Sequence, residues 1–163
     1  QGVSSAASDV YKRQVLTREQ YAEIRSIRLA LEGLAAETAA GKVTAEQLQM
    51  LERNIRDNLE AVHCGDLIAA LKLNQAFHFA LADIAGMPLL RDMLDSLWMR
   101  TGPLIARAYG DFSERMAVEH HWEVLRALEK GDGTAARQAI CTDILDGNQK
   151  MMELIARREA TLA

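Results

Sequence analysis

The chain has 163 residues, the length of one domain, and 49% of them are hydrophobic, which is enough to bury a core. Its formal net charge is −4 at pH 7, and an acidic surface of this kind repels nucleic-acid backbones. No apolar run reaches the length of a membrane span, and Cys64 and Cys141 lack the spacing of a redox or zinc motif. These properties favour a cytoplasmic protein that does not associate with membranes.

Residues 1–14 differ in character from the rest of the chain. The segment Asp9–Gln14 reads DVYKRQ, which one reading frame of a widely used transposon sequencing adapter encodes, and residues 1–8 are mostly small and polar. We therefore interpret residues 1–14 as adapter-derived, the alternative being a disordered native terminus. The domain itself is predicted to span residues 15–163.

Hydrophobic residues recur with a helical period along the domain, and start and stop signals divide it into helices. Thr17 with Gln20, and Thr44 with Gln47, have the spacing of capping boxes and predict the starts of the first two helices. The other predicted boundaries fall at Gly41, Gly65, Asp66, Gly86, Pro88, Gly110, Ser113, Gly131 and Asp132.

Two of the predicted helices have special features. Pro103 is expected to kink or split the fourth helix, and the sixth helix is expected to run from Asp132 through Ile155. No segment has the alternation of a strand. Because short connections favour antiparallel neighbours, the predicted fold class is all-α: an antiparallel bundle of six or seven helices without a sheet.

Four polar side chains interrupt the apolar stripes of three predicted helices. Asn74 and His78 are four residues apart and share a face with leucines, while His121 and Asp143 lie in the apolar stripes of two later helices. Burying such groups costs a few kcal/mol unless each finds a partner. One divalent cation would satisfy all four, although hydrogen-bonded core residues would give the same pattern.

Several segments occur in a characteristic order and spacing: IRLALEGLAA at 27–36, NQAFHFAL at 74–81, GMPLL at 86–90 and HWEVLRAL at 121–128. Gly131-Asp132 and Ala135-Ala136 follow the last of them. Together these segments resemble the FCD domain, the C-terminal effector-binding and dimerisation domain of FadR-subfamily GntR transcription regulators. The resemblance extends from Leu16 to about Ile155. It implies a homodimer, and it implies that DNA is contacted by an N-terminal winged helix-turn-helix domain missing from this sequence.

The resemblance also implies a metal site, whose ligands would be Asn74, His78, His121 and Asp143. The family has a histidine in place of Asp143, but this set still supplies one carboxylate, two imidazoles and an amide oxygen. Such a set favours zinc and also suits manganese, nickel or iron(II), with one or two positions left for water or ligand. His120 is an alternative to His121, but it lies about 100° around the helix, and the motif register favours His121.

Small organic acids are the effectors that the resemblance implies. Arg28, in an Arg-x-x-Leu-Glu motif, is a candidate second contact for the carboxylate of such an acid. The alternative is a surface ion pair with Glu32, four residues later. Arg100, Tyr109 and Trp98 are candidate pocket-lining residues near the fourth helix, although aromatic residues at helical spacing are commonly part of a plain core.

These observations predict an effector-sensing and dimerisation domain of a GntR/FadR-type regulator, in which a small carboxylate binds at a buried divalent metal. Two alternatives remain open: a structural helical dimerisation module without a ligand, and a metal-dependent enzyme. Two histidines and one carboxylate also form the facial triad of iron oxygenases. The chain is nevertheless predicted not to be an enzyme, because the paired Glu-x-x-His motifs of di-iron bundles are missing.

Overall fold

The computed structural model describes residues 16–109 and 114–162, with side chains outside this description at 106–117, 149, 158, 161 and 162. Its regular structure consists of helices: α1 (Arg18–Ala40), α2 (Ala45–His63), α3 (Leu67–Ala85), α4 (Pro88–Tyr109), α5 (Glu114–Glu129), α6 (Gly133–Asp146) and α7 (Asn148–Leu162). The described ranges contain no strand, so the predicted all-α class is confirmed. None of the described helices combines the length and apolarity that crossing a membrane requires.

Local side-chain caps define the start of most helices. The Thr17 hydroxyl accepts a hydrogen bond from the Gln20 backbone N–H at 3.2 Å, and the Thr44 hydroxyl accepts one from Gln47 at 3.3 Å. Both capping boxes are therefore present as predicted. Asp66 and Asp132 cap α3 and α6 in the same way, while Gly86 ends α3 in the left-handed conformation that glycine adopts without strain.

The predictions for the fourth and sixth helices have different outcomes. Helix α4 is not split, because it continues through Pro103 to Tyr109. The unbroken sixth helix is wrong: α6 ends at Asp146 and α7 begins at Asn148, on either side of Gly147. Glycine is a poor helix former, and the break allows α7 to pack against α4 as well as α1. The predicted start at Ser113 lies outside the described residues.

The core is built around α1, which packs most extensively against α6 and also contacts α3 and α4. Small residues make this approach close: Gly33, Ala35, Ala36 and Ala39 are buried on α1. A Cβ atom added at Gly133 would lie 2.8 Å from the backbone oxygen of Glu37. With α2 and α5 completing the bundle, polar residues on α3, α5 and α6 face one interior region.

Candidate metal centre

Three of the four predicted ligands meet in the interior of the bundle. His78 on α3, His121 on α5 and Asp143 on α6 each place a ligand atom within 4.8 Å of the others. The two imidazole side chains are 1% and 0% exposed, and the Asp143 carboxylate is 12% exposed. Asp143 lies between the histidines, with one oxygen 3.2 Å from His78 Nε2 and the other 3.7 Å from His121 Nε2.

Three imidazole nitrogens of these histidines have no hydrogen-bond partner within the described part of the chain. These atoms are His78 Nε2 and both nitrogens of His121. The 3.2 Å separation between His78 and Asp143 is close enough for an ion pair, but it lacks hydrogen-bond geometry. Unpaired buried polar atoms cost about 1–3 kcal/mol each. A cation bonded to one nitrogen of each ring and to Asp143 would remove two of the three, so these residues fit a divalent metal.

A buried carboxylate that the sequence analysis did not assign to the site fixes the orientation of His78. Glu32 of α1 contacts His78 Nδ1, and it also accepts a hydrogen bond from Arg28 Nε at 2.6 Å. Arg28 and Glu32 are both buried, which rules out the surface ion pair considered above. A metal-binding histidine characteristically donates its other ring N–H to a carboxylate, and Glu32 is placed to receive it. This contact leaves Nε2 of His78 directed to Asp143.

The charges of the cluster are strongly coupled. Burial alone would lower the pKa of His78, but the Glu32 and Asp143 carboxylates raise it to about 9. Burial lowers the pKa of His121 to about 4, despite the attraction of Asp143. Nearby positive groups outweigh burial at the two carboxylates, and the pKa of each falls to about 2. Without a cation, the proton on His78 therefore balances the charge of Asp143, and Arg28 balances Glu32.

Asn74 is the fourth predicted ligand. It is buried on α3, one turn before His78. Its part in metal binding stays a prediction.

The neighbouring His120 belongs to a different environment. Its Nδ1 lies 2.9 Å from a Glu123 oxygen and its Nε2 lies 2.6 Å from an Asp146 oxygen. Both nitrogens thus have carboxylate partners away from the buried cluster, whereas those of His121 have no hydrogen-bond partner among the described residues. The geometry favours His121 over His120 as a ligand.

The predicted effector-binding residues differ in their position relative to the buried cluster. Arg28 lies beside the cluster, with its guanidinium carbon 4.4 Å from the centre of the Trp98 ring. Trp98 in turn lies 5.2 Å from the ring of His78. Arg100 is exposed, and because two residues along a helix are about 200° apart it is directed away from Trp98; its part in lining a pocket stays a prediction. The side chain of Tyr109 lies outside the described residues.

An open surface depression of about 440 Å³ lies apart from the cluster. It is lined by Asp83, Arg91, Asp92 and Asp95 of α3 and α4. Three acids against one arginine give this depression the wrong charge for an organic acid. The buried cluster is therefore the better candidate for binding one.

The structure is an all-α bundle with a His/His/Asp set in its interior. Residues 23–146 match the model of the FCD domain, and the chain belongs to that family. It is 26% identical over 141 residues to the HTH-type transcriptional regulator McbR of Escherichia coli K12, covering 85% of this chain but only 64% of McbR. This chain therefore spans less than two thirds of that relative.

Solved structures agree with this assignment. The structure of E. coli McbR/YncC superposes with a TM-score of 0.75 at 25% identity, covering 84% of this chain and 70% of that one. A Streptococcus agalactiae GntR structure gives a TM-score of 0.65 at 28% identity, covering 76% and 55% of the two chains. The resemblance to the FCD domain is confirmed. McbR is named as a transcriptional regulator, in agreement with the prediction that the chain is not an enzyme.

Proposed function

We propose that this chain is the effector-sensing and dimerisation domain of a GntR/FadR-type transcription regulator, and that a small carboxylate binds in it at a buried divalent metal. His78, His121 and Asp143 would hold the metal, with Asn74 as the fourth ligand. One observation carries the proposal: buried imidazole nitrogens of His78 and His121, which lack hydrogen-bond partners among the described residues, lie around the single carboxylate of Asp143. In a purely structural core such atoms would be expected to be hydrogen-bonded.

The ligand set favours zinc, and manganese, nickel or iron(II) would also be accepted. When bound, the metal supplies a Lewis-acidic anchor for the carboxylate of the effector. The protein residues orient the ligands and balance their charge. Glu32 orients His78, Arg28 neutralises Glu32, and the apolar bundle excludes water from the anion.

Ligand binding would act on transcription by shifting the relative positions of the helices. His78, His121 and Asp143 would hold the metal from α3, α5 and α6, so a bound effector would favour whichever arrangement of these helices binds it best. A coupling of about 1–3 kcal/mol is the usual scale for such regulation. DNA would be contacted by another domain of the full-length homodimer in the cytoplasm.

Metal analysis of neighbouring histidine variants tests the proposal. After removal of metal and dialysis against zinc, we expect wild-type protein and the His120→Gln control to retain about one zinc per chain. His121→Gln should retain none at the same free zinc concentration, because it loses a buried ligand. Equal zinc content in the two variants, or no metal in the wild type with zinc, manganese, nickel or iron(II), would favour a structural bundle instead.

A further inference from the structure

Besides the imidazole nitrogens, Trp98 contributes a buried polar atom without a hydrogen-bond partner among the described residues, and it lies beside the cluster of His78, His121 and Asp143. Its side chain is only 2% exposed, and its indole Nε1 has no hydrogen-bond partner in the described residues. Buried tryptophans usually find an acceptor for this N–H. Since His78 lies 5.2 Å away between ring centres, the indole and the cluster share one interior region.

The orientation of this indole is fixed from two sides. The Arg28 guanidinium lies 4.4 Å from the ring centre, and Phe79 packs edge-on at 5.9 Å. Arg28 is itself held by the hydrogen bond to Glu32. An N–H held in this way is preorganised, so an arriving acceptor would not have to order the side chain.

The net charge of the cluster with a bound divalent metal indicates which charge an effector should carry. Histidines bind a metal as neutral imidazoles, so the buried charges are those of the divalent metal and Arg28 against Glu32 and Asp143. One positive charge is left over. Excess buried charge is costly, and a ligand with a single negative charge cancels it. A dicarboxylate would leave an unbalanced negative charge.

We propose that Trp98 determines the specificity of the effector site, by donating its indole N–H to the carboxylate of a small monoanionic acid that also binds the metal. This inference rests on the proposed function, since the metal contributes both the anchor and the charge. It assigns Arg28 a positioning role, through its contacts with Glu32 and the indole.

The indole proton itself provides the most direct test. Trp122, the other tryptophan, is half-buried and packs against Arg56, so the Trp122→Phe protein retains Trp98 as its only indole. With ¹⁵N-labelled tryptophan and bound zinc, we expect acetate to move the Trp98 indole proton resonance downfield. Sodium chloride at the same concentration should leave it in place. A resonance that stays fixed while calorimetry shows acetate to be bound would overturn the proposal.

Calorimetry of a variant pair gives an independent measurement. We expect Trp98→Phe to bind zinc like the wild type but acetate about tenfold more weakly, since a hydrogen bond to a charged group is lost. Trp122→Phe should bind acetate like the wild type. Equal acetate affinity in the two variants would contradict the role of Trp98.

The same measurements on the zinc-loaded wild type test the charge of the ligand. Succinate binding tighter than acetate, or no acetate binding, would overturn the assignment of a monoanionic acid. Failure of the wild type to bind any of zinc, manganese, nickel and iron(II) would refute the proposed function instead.

Discussion

Glu32 links an arginine and a histidine deep inside the bundle. It contacts Arg28 one helical turn earlier and His78 on α3, and all three side chains are buried. Breaking a buried ion pair leaves an uncompensated charge and costs about 3–5 kcal/mol, far more than a surface pair. Both the stability of the domain and the orientation of His78 should therefore depend on this residue.

Glu32→Gln should lower the free energy of unfolding by about 3 kcal/mol, because Arg28 stays buried without its counter-charge. Zinc affinity should fall about 10- to 100-fold, because His78 loses the carboxylate that orients it. Chemical denaturation and zinc competition titrations measure the two effects. Glu37→Gln is the matched control, since Glu37 on the same helix pairs with Arg137 at the surface; its effect should stay below about 1 kcal/mol. Similar losses in both variants would be evidence against a special role for Glu32.

The stability of metal-free protein should depend on pH through the two buried imidazoles. The pKa of His78 is raised to about 9, so its stabilising contribution is complete below pH 6.5 and is lost as the pH rises through 9. The pKa of His121 is lowered to about 4, so its contribution is complete above pH 6.5 and is lost as the pH falls toward 4. We expect the Tm of the metal-free protein to be highest near pH 6.5. On either side, the free energy of unfolding should fall with a slope that approaches about 1.4 kcal/mol per pH unit.

Thermal unfolding between pH 4 and 9 with a chelator, and again with zinc, tests this expectation. Zinc needs both rings neutral, so the gain in Tm on adding zinc should grow from pH 6.5 to 9 relative to the metal-free protein. In His78→Gln the alkaline decline of the chelated protein should disappear. If the Tm of that variant still declined from pH 6.5 to 9 as in the wild type, another group would be responsible for the decline.

At the scale of single residues, the sequence allowed part of the cluster to be predicted. His78, His121 and Asp143 stood out because polar groups interrupt apolar helical stripes, and the structure brings them together. The sequence did not predict Glu32 as part of the site, because the spacing of an Arg and a Glu four residues apart does not indicate whether the pair faces water or the core. Only the packing of α1 against α3 and α4 shows that this pair is buried.

At the scale of elements, the contact between α1 and α6 depends on glycine. A Cβ at Gly33 would lie 3.1 Å from the Cys141 sulfur, a side-chain atom that has some freedom to move. A Cβ at Gly133 would lie 2.8 Å from the Glu37 carbonyl oxygen, which belongs to the helix backbone. The second contact therefore limits how closely the helix that carries Asp143 approaches α1.

Gly133→Ala should destabilise the domain by about 1–3 kcal/mol, because the helices must separate to admit the methyl group. The matched control is Gly102→Ala on α4, where nothing lies within 4 Å of the added Cβ. There the better helix propensity of alanine should stabilise the domain by about 0.5–1 kcal/mol. Differential scanning calorimetry should thus show Tm changes of opposite sign, and a Tm decrease of the same size in both variants would contradict the packing argument.

Helix boundaries could be predicted wherever a side chain caps the backbone, as at Thr17, Thr44, Asp66 and Asp132. The break at Gly147 could not, because the apolar period continues across it from Ile144 to Met151. Its cause is tertiary: Met151 and Ile155 are buried in the same core as α1 and α4. Arg18 and Arg25 of α1 also contact Glu159 and Asn148 of α7.

At the scale of the whole molecule, the acidic chain should not bind an operator by itself. Its net charge is −4, and the family match covers only the FCD domain. We expect no specific band in gel shifts at physiological salt with nanomolar protein, and we expect a dimer in analytical ultracentrifugation. Nanomolar operator binding would contradict the assignment of DNA contact to another domain, and a monomer at high micromolar concentration would contradict the dimerisation role.

The near-complete enclosure of the two imidazoles, with Asp143 alone slightly open to water, has a kinetic consequence. Because the imidazoles are enclosed, we expect a metal or an acid to reach them only when the surrounding helices separate transiently. Occupancy would then change at the rate of that opening rather than at the rate of diffusion. A sensor built in this way averages over brief fluctuations in effector concentration and responds to sustained ones.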